Sequence, residues 1–320
     1  MEQRKIRNVT AKQGLKYAKT AAEQTLRCKV TEIRFIGGGS FGYVYLARID
    51  KAPHTVIMKA CRTEGICERE ASELRLLGEN SLVKIPEVYF TFTATQEIPL
   101  DFICMEKADG SDCFTDFRKL FCSGKEKAAF ADKITSAMHH WHSITNDRFG
   151  PIGSADCEEW LDYYRPFAED VLNTARELEK NGKLERFVLN TMERAWSAFD
   201  AIFSERVQKA SLIHGDMNVM NIMTDRHLNI TAFIDPLESK WADKEYELFQ
   251  LRNLTGDCFR LYETYKKKYP VSEKCDIKTA FYALYHEVYA YIISGNKVMF
   301  ILLPLVRRMK KELKKAGLCN

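Results

Sequence analysis

In the second half of the chain, Leu212-Ile213-His214-Gly215-Asp216-Met217-Asn218-Val219-Met220-Asn221 sets a carboxylate and a carboxamide five residues apart, in a loop after a short apolar run. Asp216 suits the base that accepts the proton of an attacking hydroxyl, and the amide oxygen of Asn221 suits magnesium. Nineteen residues beyond Asp216, Phe233-Ile234-Asp235-Pro236 ends another apolar run in a carboxylate. Asp235 in that place could bridge magnesium to the β- and γ-phosphates of a nucleotide. Each of these alone is also what a turn uses as a cap, because Asp and Asn are common turn formers.

Upstream, Gly37-Gly38-Gly39-Ser40-Phe41-Gly42-Tyr43-Val44 fits GxGxxGxV and lies between two predicted strands. A dinucleotide site would need a helix after the third glycine. A hairpin instead lets the amides of Ser40, Phe41 and Gly42 close over phosphates, with Gly37, Gly39 and Val44 completing the loop. Fifteen residues after Val44, Val56-Ile57-Met58-Lys59 ends a strand in a lysine suited to the α- and β-phosphates. A buried ammonium needs a partner, and Glu70, eleven residues on and on the inward face of a predicted helix, can supply it. Glu68 and Glu73 are rivals, the latter on the same face. Ordered along the chain, this set predicts transfer of a phosphoryl group from ATP with magnesium, provided that Lys59, Asp216, Asn221 and Asp235 converge on one triphosphate.

The elements that must position these residues follow from periodicity. Leu15, Ala18, Ala22 and Leu26 mark a leading amphipathic helix over Thr10–Cys28. Thr31–Ile36, Tyr43–Ile49 and Thr55–Ala60 read as a three-strand meander, Gly65–Leu77 as a helix, and Glu87–Thr93 and Phe102–Glu106 as two further strands. Asp109-Gly110-Ser111 breaks the pattern, so lobes are expected at 1–108 and 109–320. Beyond it, helices are predicted over Lys125–Ser143, Cys157–Lys180, Leu184–Lys209, Asp243–Tyr269, Asp276–Ile293 and Val298–Lys315. Only Ser211–His214, Asn221–Met223 and Ile230–Ile234 read as extended there. The expected class is α+β: a small five-stranded antiparallel lobe with one main helix, then a large, mainly helical lobe.

A length of 320 residues accords with two lobes, and 46% apolar with 29% charged residues is the composition of a folded globule. The polar, basic N-terminus is no secretory signal, and Val298–Val306, interrupted by Pro304, is too short to cross a bilayer. Ten cysteines scattered without a CxxC pair are expected to be reduced thiols in a cytoplasmic protein. A net charge of +4 is small, and the basic run Arg307–Lys315 reads as the solvated face of a last helix, so no nucleic-acid partner is expected. His139 and His142 share a helical face but lack acidic or cysteine partners. Metal binding there is not expected, and His142 is expected to pack against the loop of Asp216.

His214-Gly215-Asp216 through Asn221, Ile234-Asp235-Pro236 and Ala242-Asp243-Lys244-Glu245-Tyr246-Glu247-Leu248 resemble the aminoglycoside phosphotransferase and fructosamine kinase superfamily, over nearly the whole chain. Cys67 to Leu77 resembles the fructosamine kinase helix that bears the lysine's partner, which favours Glu70. The resemblance implies a protein-kinase-like two-lobe fold. It also places Met105 at the back of an adenine pocket and makes the backbones of Glu106 and Ala108 its hinge. Gly215 in place of the HRD arginine, Pro236 after Asp235 and the lack of an APE segment set the chain apart from protein kinases. The implied acceptors are amine-bearing small molecules of ketosamine or aminoglycoside type, with Glu238, Trp241 and Glu287 as candidate contacts. A choline or ethanolamine kinase and a non-catalytic nucleotide-binding module are the alternatives, and the oligomeric state is expected to be monomer or homodimer.

Overall fold

The computed structural model describes residues 7–38, 42–236 and 238–318. The chain forms two compact units, Met1–Ser111 with Ile222–Leu237, and Asp112–Asn221 with Glu238–Asn320. One segment thus sits differently from a simple division at 108/109. The hairpin Ile222–Thr224/Ile230–Phe233 joins the first unit, where Phe233 N donates to Lys84 O at 3.0 Å and Thr231 Oγ1 to Asp109 O at 2.6 Å. A hairpin satisfies its own ladder, so its local sequence does not say which core it will join.

The first unit is led by α1 (Ala11–Leu26), capped by Thr10, whose hydroxyl accepts from Gln13 N while Gln13 reaches back to Thr10 N at 2.9 Å. Its buried residues, Gly14, Ala18, Ala21 and Ala22, are small, which allows close approach to the sheet. A Cβ at Gly14 would stand 2.3 Å from Tyr45 Oη, and that hydroxyl donates to Ala11 O at 2.8 Å. The strands β1 (Val30–Gly38), β2 (Gly42–Ile49), β3 (Thr55–Cys61), β4 (Val88–Phe92) and β5 (Asp101–Glu106) form one antiparallel sheet in the order β1-β2-β3-β5-β4. Alternation on β3 sends Val56, Met58 and Ala60 into the core beneath α1. Lys59 and Ile57 therefore face the other way, towards α2 (Ile66–Glu79).

Cys61 and Cys67 are joined by a disulfide, their Cα atoms 6.0 Å apart. The expectation of reduced thiols throughout is corrected here. The end of β3 turns directly into the first turn of α2, and that reversal brings together two cysteines that sequence spacing alone does not pair.

The second unit packs the helices Gly124–Ser143, Trp160–Lys180, Arg186–Ser197, Leu261–Lys268, Cys275–Ser294 and Met299–Lys315 about a small sheet formed by Thr145–Asn146, Ala210–Ile213, Lys240–Ala242 and Gly150–Pro151. Its core is aromatic: Trp160, Tyr164, Phe199, Phe203, Tyr246, Phe281 and Tyr282 interlock in stacked and edge-on contacts. Each such ring contributes about 2–3 kcal/mol relative to exposure.

Two expected helices are shorter than predicted. Leu184–Lys209 is helical over Arg186–Ser197 and for one turn at Phe199–Ile202, after which burial of Phe199, Ile202 and Phe203 takes the chain into the core. Asp243–Tyr269 breaks into short turns over 245–259, before the helix Leu261–Lys268, because Leu254 and Arg260 adopt left-handed backbone, with φ of 54° and 57°. The tight reversal also requires Gly256, where a Cβ would stand 2.2 Å from Leu251 O. Among the described residues no helix is long and apolar enough to cross a membrane.

Candidate active site

In the first unit, Lys59 Nζ lies 2.8 Å from the Glu70 carboxylate and also contacts Asp235. Of the three helix carboxylates considered from sequence, Glu68 is exposed and Glu73 is buried 3.6 Å from Arg69, so Glu70 meets the lysine. Burial alone would lower the Lys59 pKa, but Asp235 and Glu70 more than reverse this and hold the ammonium above its ordinary value. The Glu70 side chain is 4% exposed and that of Asp235 is 46% exposed, so the cluster is closed on one side and open on the other.

It opens onto a cavity of about 610 Å³, large enough for a nucleotide. Val44, Ile57, Met105 and Ile234 give that cavity apolar walls, Glu106 and Ala108 also line it, and Lys59, Glu70 and Asp235 form a polar end. The N–H of Glu106 is donated to Glu87 O at 2.8 Å, and Ala108 O lies 3.3 Å from Lys107 Nζ. Gly42 faces Cys61 across the ladder, and a Cβ there would stand 1.8 Å from Ala60 O, so this loop glycine is required for strand approach as well. At Gly37 a Cβ would meet nothing within 4 Å. Gly39, Ser40 and Phe41 lie outside the described residues.

In the second unit, Asp216 is held by three amides. Its Oδ1 accepts from Asn218 Nδ2 at 2.7 Å and Gln250 Nε2 at 2.9 Å, and its Oδ2 accepts from Asn221 Nδ2 at 2.9 Å. Three donors fix the carboxylate's orientation, which is what a positioned proton acceptor requires. Gly215 supports the turn with φ of 88°, a value that a side chain would strain. Its N–H donates to Glu247 at 2.7 Å, and the other oxygen of Glu247 lies 3.0 Å from His142 Nε2. His142 thus reaches the loop through a buried carboxylate, and its Nδ1 is 2.7 Å from Tyr265 Oη.

Asn221 and Asp235, taken one at a time, are each oxygen donors of the kind magnesium accepts. With the Asn221 nitrogen given to Asp216 O and Oδ2, its amide oxygen is the atom left for a cation. Asp235 is a half-exposed carboxylate on left-handed backbone at φ 57°, a strain of about 1 kcal/mol or more for a non-glycine residue. Among the described residues no group of three His, Cys, Asp or Glu forms a ready metal site, so a hard cation at either residue would take phosphate or water oxygens as well.

The three candidate acceptor contacts separate. Glu238 has φ 63° and pairs with the buried Lys240, while Tyr289 Oη is 3.5 Å from its Oε1. Trp241 points to the opposite side of its strand from Lys240 and is half-buried against the aromatic core. Glu287 lies one residue past His286, about 100° further round the helix. Burial pushes its carboxyl up to about 7. Sequence reasoning did not find Gln250, which the short helical stretch Glu245–Arg252 carries to Asp216, nor Lys240. No local signal marked the glutamine, and Lys240 stands between Glu238-Ser239 and Asp243, so its charge does not stand out in the sequence.

A model of the family described as Fructosamine kinase matches residues 15–311. No curated protein matches the sequence. Among solved structures, one described as fructosamine-3-kinase from Haemophilus somnus 129PT superposes with a TM-score of 0.66 at 16% identity, over 95% of this chain and 99% of that one. Aminoglycoside phosphotransferase APH(4)-Ia gives 0.67 at 15% identity, over 94% and 99%. The ADP-bound aminoglycoside phosphotransferase APH(2'')-Ib gives 0.58 at 17% identity, over 94% and 98%. The fold is thus α+β and protein-kinase-like.

Proposed function

Because the chain belongs to the fructosamine kinase family, we propose that this small-molecule kinase moves the γ-phosphate of ATP onto a hydroxyl of an amine-bearing sugar or amino alcohol. The supporting observation is the Lys59, Glu70 and Asp235 cluster at the polar end of a nucleotide-sized cavity. In this reading adenine lies against Met105, with the backbones of Glu106 and Ala108 as hinge, the glycine loop covers the phosphates, and Lys59 holds the α- and β-phosphates. Asp216 takes the proton of the acceptor hydroxyl, its orientation fixed by Asn218, Asn221 and Gln250. Asn221 and Asp235 would hold magnesium, which supplies neutralisation of phosphate charge when bound.

Positioning and charge neutralisation supply most of the rate in such a reaction. Asp216→Asn is therefore expected to lower turnover by about a hundredfold to ten-thousandfold, measured as ATP consumption with a panel of fructosyl-lysine, kanamycin and choline. Unchanged turnover would remove Asp216 from the role of base. The same panel separates a ketosamine or aminoglycoside kinase from a choline or ethanolamine kinase. A non-catalytic nucleotide-binding module would instead show a magnesium-dependent thermal shift with ATP and no turnover. A cytoplasmic location goes with ATP as donor, and a reducing compartment would then contest the Cys61–Cys67 bond.

A further inference from the structure

Glu238, offered above as a contact for a cationic acceptor, already faces a cation. Lys240 is a buried ammonium with its side chain 8% exposed, and its Nζ is 3.5 Å from Glu238 Oε2. It also lies 5.4 Å and 5.9 Å from the ring centroids of Tyr246 and Tyr163. An ammonium has three N–H donors, so one contact at 3.5 Å and two ring faces satisfy it poorly. By contrast, Lys278 holds two carboxylates at 2.6 Å and 2.8 Å. His286 stands beside the same pair, its ring 5.1 Å from that of Phe249 and 6.3 Å from that of Tyr289, and its Nδ1 is buried without a hydrogen-bond partner. Burial holds this imidazole neutral, lowering its pKa to about 4. Glu238, Lys240 and His286 therefore carry no net charge together, and what they leave unfilled is hydrogen-bonding capacity at an ammonium and an imidazole.

The cluster lies near the proposed base. Lys240 pairs with Ile213 across the small sheet, Ser239 Oγ donates to His214 O at 2.8 Å, and Phe249 precedes the Gln250 that holds Asp216. Ile213 is three residues before Asp216, so even a fully extended chain would separate their Cα atoms by no more than about 10 Å.

We propose that Lys240 is a specificity-determining residue that receives a carboxylate of the acceptor, so that the preferred acceptor is an amino-acid-like zwitterion bearing a hydroxyl and not a polycation. The Glu238 side chain, 32% exposed, can turn to the acceptor's ammonium as the carboxylate reaches Lys240. The inference rests on the phosphotransfer reading for its hydroxyl, but not for its anion.

The experiment compares fructosyl-lysine with its α-carboxamide, by turnover and by calorimetric binding in the presence of ADP and magnesium. The acid is expected to bind on the order of tenfold more tightly than the amide, with the turnover difference carried in KM. Lys240→Met should bring that ratio to about one, and Lys240→Arg should retain most of it. Equal affinity of the intact enzyme for acid and amide, equal weakening of both by Lys240→Met, or no binding of either at millimolar concentration overturns the proposal. Discrimination in binding without any turnover would count against the phosphotransfer reading and uphold the anion site.

Discussion

Two buried lysines in this chain are built from the same parts and differ in what surrounds them. Lys59 meets Glu70 and Asp235, and Lys278 meets Asp243 and Glu245. Around Lys278 every side chain is at most 4% exposed and every carboxylate has further donors: Tyr282 Oη to Asp243 at 3.0 Å, and Ser272 Oγ to Glu245 at 2.7 Å. Around Lys59 one carboxylate is buried and the other is nearly half exposed at the edge of a cavity. A fully satisfied pair fixes local structure, whereas one with an exposed member can exchange that member for a ligand at little cost.

The contrast can be broken by substitution. Lys59→Met should lower kcat/KM for ATP by about 10²–10⁴-fold, since phosphate positioning is lost, with a smaller loss of stability than at Lys278 because one buried carboxylate is stranded and not two. Comparable losses of stability at both lysines would dissolve the distinction. Lys278→Met, which strands two buried carboxylates, should cost about 3–5 kcal/mol in urea denaturation. Adding Asp243→Asn and Glu245→Gln to that variant should recover about 1–4 kcal/mol, because the cost lies in unpaired charge.

The smallest expected effect concerns adjacent residues with opposite titration. Burial raises Glu287 to about 7, so the native state binds its proton more tightly than the unfolded chain, and stability falls as pH rises from about 4.5 to 7. Burial lowers His286 to about 4, so there the unfolded chain binds the extra proton, and stability rises with pH from about 4 to 6.5. The two slopes oppose each other between roughly pH 4.5 and 6.5. Glu287→Gln should unmask the rising limb and add about 1–2 kcal/mol at pH 8 in denaturant titrations, and a flat difference across pH would reject the shift.

Much of the first unit could be anticipated because its signals are local. Helical period put Glu70 on the inward face, strand alternation turned Lys59 away from the core under α1, and the order of five strands and one helix followed from turn residues. The groups around Asp216 were partly legible: Asn218 and Asn221 share its loop, whereas Gln250 comes from a helical stretch 34 residues further on, and no local pattern pairs it with Asp216. The role of Lys240 depends on which residues stand opposite it in another strand, and no local pattern carries that information.

The ion pair Lys59–Glu70 brackets the Cys61–Cys67 bond in the chain. The disulfide crosslinks a point two residues beyond the lysine to a point about one helical turn before Glu70, so the ammonium and its carboxylate sit just outside a short covalent ring, one on each of its arms. A loop of this size removes about 2 kcal/mol of chain entropy from the unfolded state. Its larger effect is on register, since strand and helix cannot slide past each other by a residue while the ring is closed, and the lysine meets the same acid each time the chain folds.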